Sequence, residues 1–164
     1  MKAPIYAIVG LVVLVALQTL WFYPQLPDPI ASHFNAIGQP DGWAPKPFFF
    51  LIYAGVVALD TWLVWGLPQW IERRPDSQIN LPHKDYWLAS DRRPATFAFI
   101  QQQMGWFGVA NLLLMVYVFQ LVISANLNPP PQLPMIPIWT ALGIYLLYTI
   151  VWLISFYQRF RRPT

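Results

Sequence analysis

Four long apolar runs, at about residues 4–23, 48–68, 104–124 and 137–157, constrain this chain more than any other feature. Each is close to the twenty or so residues that a helix rising about 1.5 Å per residue needs to cross a hydrocarbon core roughly 30 Å thick. Inside hydrocarbon no water is present to bond the backbone, so spanning segments of this length must be helices. The totals agree: 57% of the 164 residues are hydrophobic and only 10% charged, too few to coat a soluble domain. The expected fold is an all-α integral membrane protein: one domain over residues 1–164, a bundle of four transmembrane helices with a short helix and a turn capping its outer face. There is no cysteine, which excludes disulfides, thiolate catalysis and cysteine-ligated metals.

The first run ends in Trp21-Phe22-Tyr23, an interfacial aromatic belt, and no small-residue cleavage site follows, so it reads as a span rather than a signal peptide. The second is expected to stop at Pro68. The third helix should start near Ser90 to Pro94, with Ala95 to Gln103 projecting into the interface, and Asn126 to Pro134 should form a tight, uncharged connection. Charge bias sets the threading. Lys2, Arg73, Arg74, Lys84, Arg92, Arg93, Arg159, Arg161 and Arg162 fall at one end of the bundle, leaving Lys46 alone among the ten basic residues at the other. The positive-inside rule then puts both termini and the inner loop 69–94 in the cytoplasm of a bacterial inner membrane, and the loop 24–46 outside. The basic balance follows from this topology, so no nucleic-acid partner is implied.

Within the outer loop, Asp28-Pro29 reads as an N-cap and first helical residue, and Gly38 as the residue past a helix end. That predicts a short helix over Pro29 to Ile37, with Ile30, Phe34 and Ile37 on one face and His33 on the flank. Pro40-Asp41-Gly42 is turn chemistry. Trp43 is an interfacial anchor, and Lys46 can snorkel at the mouth of the second span.

The ordered string Leu26-Pro27-Asp28-Pro29-Ile30, His33-Phe34-Asn35, Gly38, Pro40-Asp41-Gly42-Trp43 and Lys46 resembles the signature of the bacterial membrane family called domain of unknown function 1648. That domain also forms the N-terminal part of SdpI-type immunity proteins. The inner stretch Asn80-Leu81-Pro82 with Lys84-Asp85-Tyr86-Trp87-Leu88 is similar to a segment of four-helix members. The resemblance implies a membrane location and helical fold. It also implies an immunity-type role, in which relatives protect a cell against a secreted peptide toxin and hold a repressor at the membrane.

Three groups of residues could carry chemistry. His33, Asp41 and Asp28 offer a nitrogen and two carboxylates, but the spacing matches no metal-ligand pattern, and Asn35, Asp41 and Lys46 bonding the loop to itself is the preferred reading. A docking surface for an extracytoplasmic peptide or protein, helped by Trp43, is the third reading. Asp60 stands inside the second span, where an unpaired carboxylate costs about 2.5–3.5 kcal/mol or more. Asn111 and Thr149 fall at a similar depth and are expected to complete a polar layer, either as a proton or ligand site or as interhelical glue. In the inner loop Asn80, Lys84, Asp85, Tyr86 and Trp87 suit either a cytoplasmic partner or a headgroup-level segment on anionic lipid. Gly105, Gly108, Ala54 and Ala58 are expected at close helix contacts. No cofactor motif or nucleophile–base arrangement is present. The expectation is therefore a non-enzymatic binding, sensing or immunity-type protein. A small transporter or a subunit of a larger membrane complex is the alternative, and a membrane enzyme using the outer loop ranks behind both.

Overall fold

The computed structural model describes residues 2–161, so Arg162 lies outside the described residues. Among them four helices are long and apolar enough to cross a membrane. These are α1 (Lys2–Phe22), α2 (Lys46–Glu72), α4 (Arg93–Leu127) and α5 (Met135–Arg159), with a single-turn helix, α3 (Lys84–Trp87), in the connection before α4. The 35-residue α4 is the central element: it packs against α1, α2 and α5. Its start at Arg93 agrees with the expected entry, but it runs on to Leu127 and takes in Asn126, which the sequence had assigned to the connection.

Two small residues on α4 let its neighbours approach. A Cβ at Gly108 would stand 2.3 Å from Cγ2 of Val64, and one at Gly105 would stand 2.9 Å from Cβ of Pro4. Ala54 and Ala58, expected at such contacts too, lie on an exposed face of α2 instead. Their small side chains serve no helix packing among the described residues.

Pro68 does not end the second span. The helix runs as α to Thr61, widens into a π turn over Trp62–Gly66, and resumes as α over Leu67–Glu72. A proline ring crowds the carbonyl four residues back and supplies no N–H. Here the Leu67 N–H bonds five residues back to Trp62 O, and Pro68 falls in the first turn of the last α segment.

In the half nearer residues 24–46, polar side chains brace the bundle. The Tyr53 hydroxyl donates to Gln18 Oε1 at 2.8 Å, Gln18 Nε2 donates to Gln120 Oε1 at 2.8 Å, and the Tyr53 ring stacks on Phe119 at 3.8 Å. This ties α1, α2 and α4 together with bonds that hydrocarbon cannot replace. On the inner side α5 is held to α4 by an aromatic seam through Phe107, Trp152, Phe156 and Phe99, with Trp152 Nε1 donating to Gln103 O at 3.0 Å.

Overpacking of this kind costs about 1–3 kcal/mol. Gly108→Leu should therefore lower the unfolding midpoint in detergent clearly. Gly143→Ala, at a site with open space around it, should change stability by no more than about 0.5 kcal/mol.

Candidate functional site at the outer hairpin

The segment between α1 and α2 is not a helix but a β-hairpin, β1 (Ile30–Phe34) paired antiparallel with β2 (Pro40–Ala44). The expectation of a helix over Pro29 to Ile37 is thus corrected, and the capping helix of the expected fold is this hairpin. A nine-residue helix cannot support itself. The residues that suggested its ends have other partners. Asp28 does cap a helix, but the one eighteen residues on: its Oδ1 accepts from the Lys46 N–H at 2.9 Å, in the first turn of α2. Asn35 organises the turn. Its Oδ1 accepts from the Ile37 and Gln39 N–H groups at 3.1 and 3.0 Å, and its backbone N–H donates to Gln39 O at 2.8 Å. Gly38, at φ +81°, closes that turn in the left-handed region.

Three attachments fasten the hairpin to the helices. Asn126, only 4% exposed near the end of α4, faces the outer edge of β1. Its Oδ1 accepts from the Ala31 N–H at 2.8 Å, and its Nδ2 donates to Ala31 O and to Val122 O, both at 2.9 Å. The amide stands in for a neighbouring strand, satisfying both backbone groups of a fully buried residue. At the turn, the Leu133 N–H donates to Gly38 O and Gln132 Nε2 to Ile37 O, each at 2.9 Å. The two backbones come so close that a Cβ at Gly38 would lie 2.2 Å from Leu133 O. At the base, Lys46 Nζ donates to Leu26 O at 2.9 Å and lies 4.9 Å from the centre of the Tyr23 ring. Pro27 lies exposed beside it.

The side chains left over point outward. His33 Nδ1 and Asp41 Oδ1 form a cross-strand ion pair or hydrogen bond, with side chains 74% and 44% exposed. Exposure on that scale limits such a pair to about 0–1 kcal/mol of stability. His33 also covers Gly42, where a Cβ would stand 2.8 Å from its own. Trp43, 53% exposed, and Ile37 add apolar surface. Asp28 is turned to the Lys46 N–H, and among the described residues no three acidic or histidine groups come together as metal ligands.

The two other groups of residues lie elsewhere. In the membrane, Asn111 Nδ2 donates to Asp60 Oδ1 at 2.8 Å. The third side chain of that cluster is Tyr145, whose hydroxyl donates to Asn111 Oδ1. Thr149 is not part of it, because its Oγ1 donates to Tyr145 O one turn back on its own helix, at 2.9 Å. In the inner connection, Lys84 to Trp87 form α3, entered through His83 at φ 51°. Arg92 lies 3.9 Å over the Tyr86 ring and Arg159 4.7 Å over the Trp87 ring, while Thr96 Oγ1 donates to Trp87 O at 2.9 Å. Asn80 and Asp85 stay at the surface of this loop, which α4 and α5 hold down by its aromatics.

Replacing Asn126 by Leu removes three bonds and orphans the buried Ala31 N–H and C=O, each worth about 1–3 kcal/mol. The variant should keep its helical circular dichroism but admit protease cleavage within residues 30–44. Ser32→Ala, on the exposed side of β1, should leave the segment resistant.

Residues 10–57 match the model of the family described as Domain of unknown function (DUF1648). The match takes in most of α1, the whole hairpin and the first part of α2, and stops short of Asp60. No curated protein and no solved structure matches the chain. From Gly10 to Val57 this helical protein, with its four apolar spans, is similar to the family described as domain of unknown function 1648.

Proposed function

We propose that this is a non-enzymatic binding and sensing protein of the bacterial cytoplasmic membrane, whose hairpin receives an extracytoplasmic peptide or protein. The observation that carries this reading is the way the hairpin is fixed. Its backbone is tied to α4 and to the α4–α5 connection, while His33, Asp41, Trp43 and Ile37 remain uncommitted to the bundle. A surface held rigid before contact loses little entropy when a partner docks. An exposed tryptophan is a residue type enriched at binding centres. The immunity-type role, protection against a secreted peptide, is the finer form of this proposal.

The proposed threading has both termini inside. Its support is the gathering of Arg73, Arg74, Lys84, Arg92, Arg93, Arg159 and Arg161 at the end opposite the hairpin. A second reading, a small transporter or an accessory subunit of a larger membrane complex, draws on α5. That helix packs chiefly on α4, and nearly all of its remaining surface is uncovered.

The absence of cysteine gives a clean background for labelling. In intact cells Ser32→Cys should react with a membrane-impermeant maleimide, and Ser77→Cys only after permeabilisation. The reverse pattern would overturn the threading. A photoreactive residue at position 43 should capture a discrete peptide or protein, whereas one at Leu51, on an exposed face of α2, should capture lipid. Lipid alone at both positions would refute the receiving role. A stable set of partners captured through α5 instead would favour the subunit reading.

A further inference from the structure

Asp60 is the one acidic residue standing deep within a spanning helix, roughly 20 Å from either end of α2 at about 1.5 Å per residue. Its surroundings are unusual for a carboxylate. Oδ1 accepts from Asn111 Nδ2 at 2.8 Å. Oδ2 is buried and has no hydrogen-bond partner among the described residues. Among the described residues no basic group bonds or pairs with it. α1 carries no ionisable side chain between Tyr6 and Tyr23, and within α2 the other interior titratable group is Tyr53, whose hydroxyl is bonded to Gln18. Between its ends α4 adds only Tyr117. α5 adds Tyr148 and Tyr145, and Tyr145 reaches Asp60 only through Asn111.

The amide orientation bears on the ligand. Asn111 presents its nitrogen to Asp60, and its oxygen is taken by the Tyr145 hydroxyl. A hard metal cation requires a shell of several oxygens. Among the described residues no three acidic or histidine groups come together as metal ligands, and the side chain bonded to Asp60 is a donor. The π turn over Trp62–Gly66, which accommodates Pro68, begins two residues after Asp60. This site lies outside the residues that match the family and is separate from the outer hairpin.

We propose that Asp60 is an intramembrane proton-binding site whose Oδ2 carries an exchangeable proton, with Asn111 and Tyr145 as the positioning residues that hold Oδ1. Loading joins a proton from hydronium to Oδ2 and leaves a water molecule. Unloading returns the proton to water and leaves the carboxylate. Asn111 bonds Oδ1 in both states, so exchange does not require the helices to separate. The proton, rather than a metal ion, is the ligand because the site has one open oxygen and no cage.

The test uses dicyclohexylcarbodiimide, which enters bilayers and reacts with neutral carboxylic acids, on the full chain in phosphatidylcholine nanodiscs. Peptide mapping by mass spectrometry should place an adduct on Asp60 at neutral pH, with Asp28 and Asp41 unlabelled. The adduct should be lost as the buffer is made alkaline, and replacing choline by sodium at constant pH should not change it. Failure to label Asp60 at neutral pH would overturn the proposal. Labelling that does not respond to pH would mark a locked structural proton and overturn it too. Protection by sodium would assign a metal cation instead. Because the adduct is mapped on the parent chain, the outcome stands whether or not Asp60→Asn folds.

Discussion

The pairing of the Asn126 amide with both backbone groups of Ala31 is the contact on which the hairpin end of this molecule depends. A two-stranded hairpin alone in water is marginal, and its free edges attract other strands. Here one edge is closed by a side chain that offers an acceptor and a donor at strand-like spacing. It projects from a helix that the bilayer already requires to be rigid. Once Ala31 is held, Ile30 is buried beside it and Asp28 is brought to the first turn of α2. The loop therefore sets where the second span begins, which a flexible linker could not do.

The same economy recurs within the hydrocarbon. Lipid tails compete with apolar side chains on equal terms, so specific helix positions come from close packing and from polar bonds. Two polar clusters supply the bonds. Gln18, Tyr53 and Gln120 join α1, α2 and α4, and Asp60, Asn111 and Tyr145 join α2, α4 and α5. Both pass through α4, whose glycines also admit α1 and α2. The long helix is the spine, and the hairpin is fixed to its outer end. The two clusters differ in one respect. Every polar side chain of the first is neutral, whereas the second contains an acid with an unclaimed oxygen.

The four spans were legible because hydrocarbon thickness imposes a length that composition reveals directly. The hairpin was not, for a physical reason: Asp28-Pro29 and Gly38 are as fitting at the ends of a helix as at a helix cap eighteen residues away and a tight turn. The choice between them depends on contacts with Asn126 and Leu133, about a hundred residues further along the chain. The run Ile30-Ala31-Ser32-His33-Phe34 carries no period-two alternation: Ile30 and Ala31 are buried side by side in an irregular register, so no local signal for a strand stood against the helix. Asn126 sits close to a run of prolines, where an asparagine usually marks a loop, so its role is hidden from the sequence. Thr149 and Tyr145 share a helix face one turn apart, and depth counting cannot separate them. The longer side chain of Tyr145 crosses to α4, and the short hydroxyl of Thr149 turns back on its own helix. Pro68 reads as a helix stop in the sequence because a π turn that absorbs a proline leaves no mark in hydropathy.

The hairpin is part of the membrane bundle rather than a mobile loop above it. Hydrogen exchange at the Ala31 amide tests this directly, since that N–H points away from the partner strand and is bonded by Asn126. In nanodiscs the Ala31 amide should exchange as slowly as the amides in the middle of α4. Exchange at the rate of an exposed loop amide would contradict the attachment, and with it the rigid outer surface built on it.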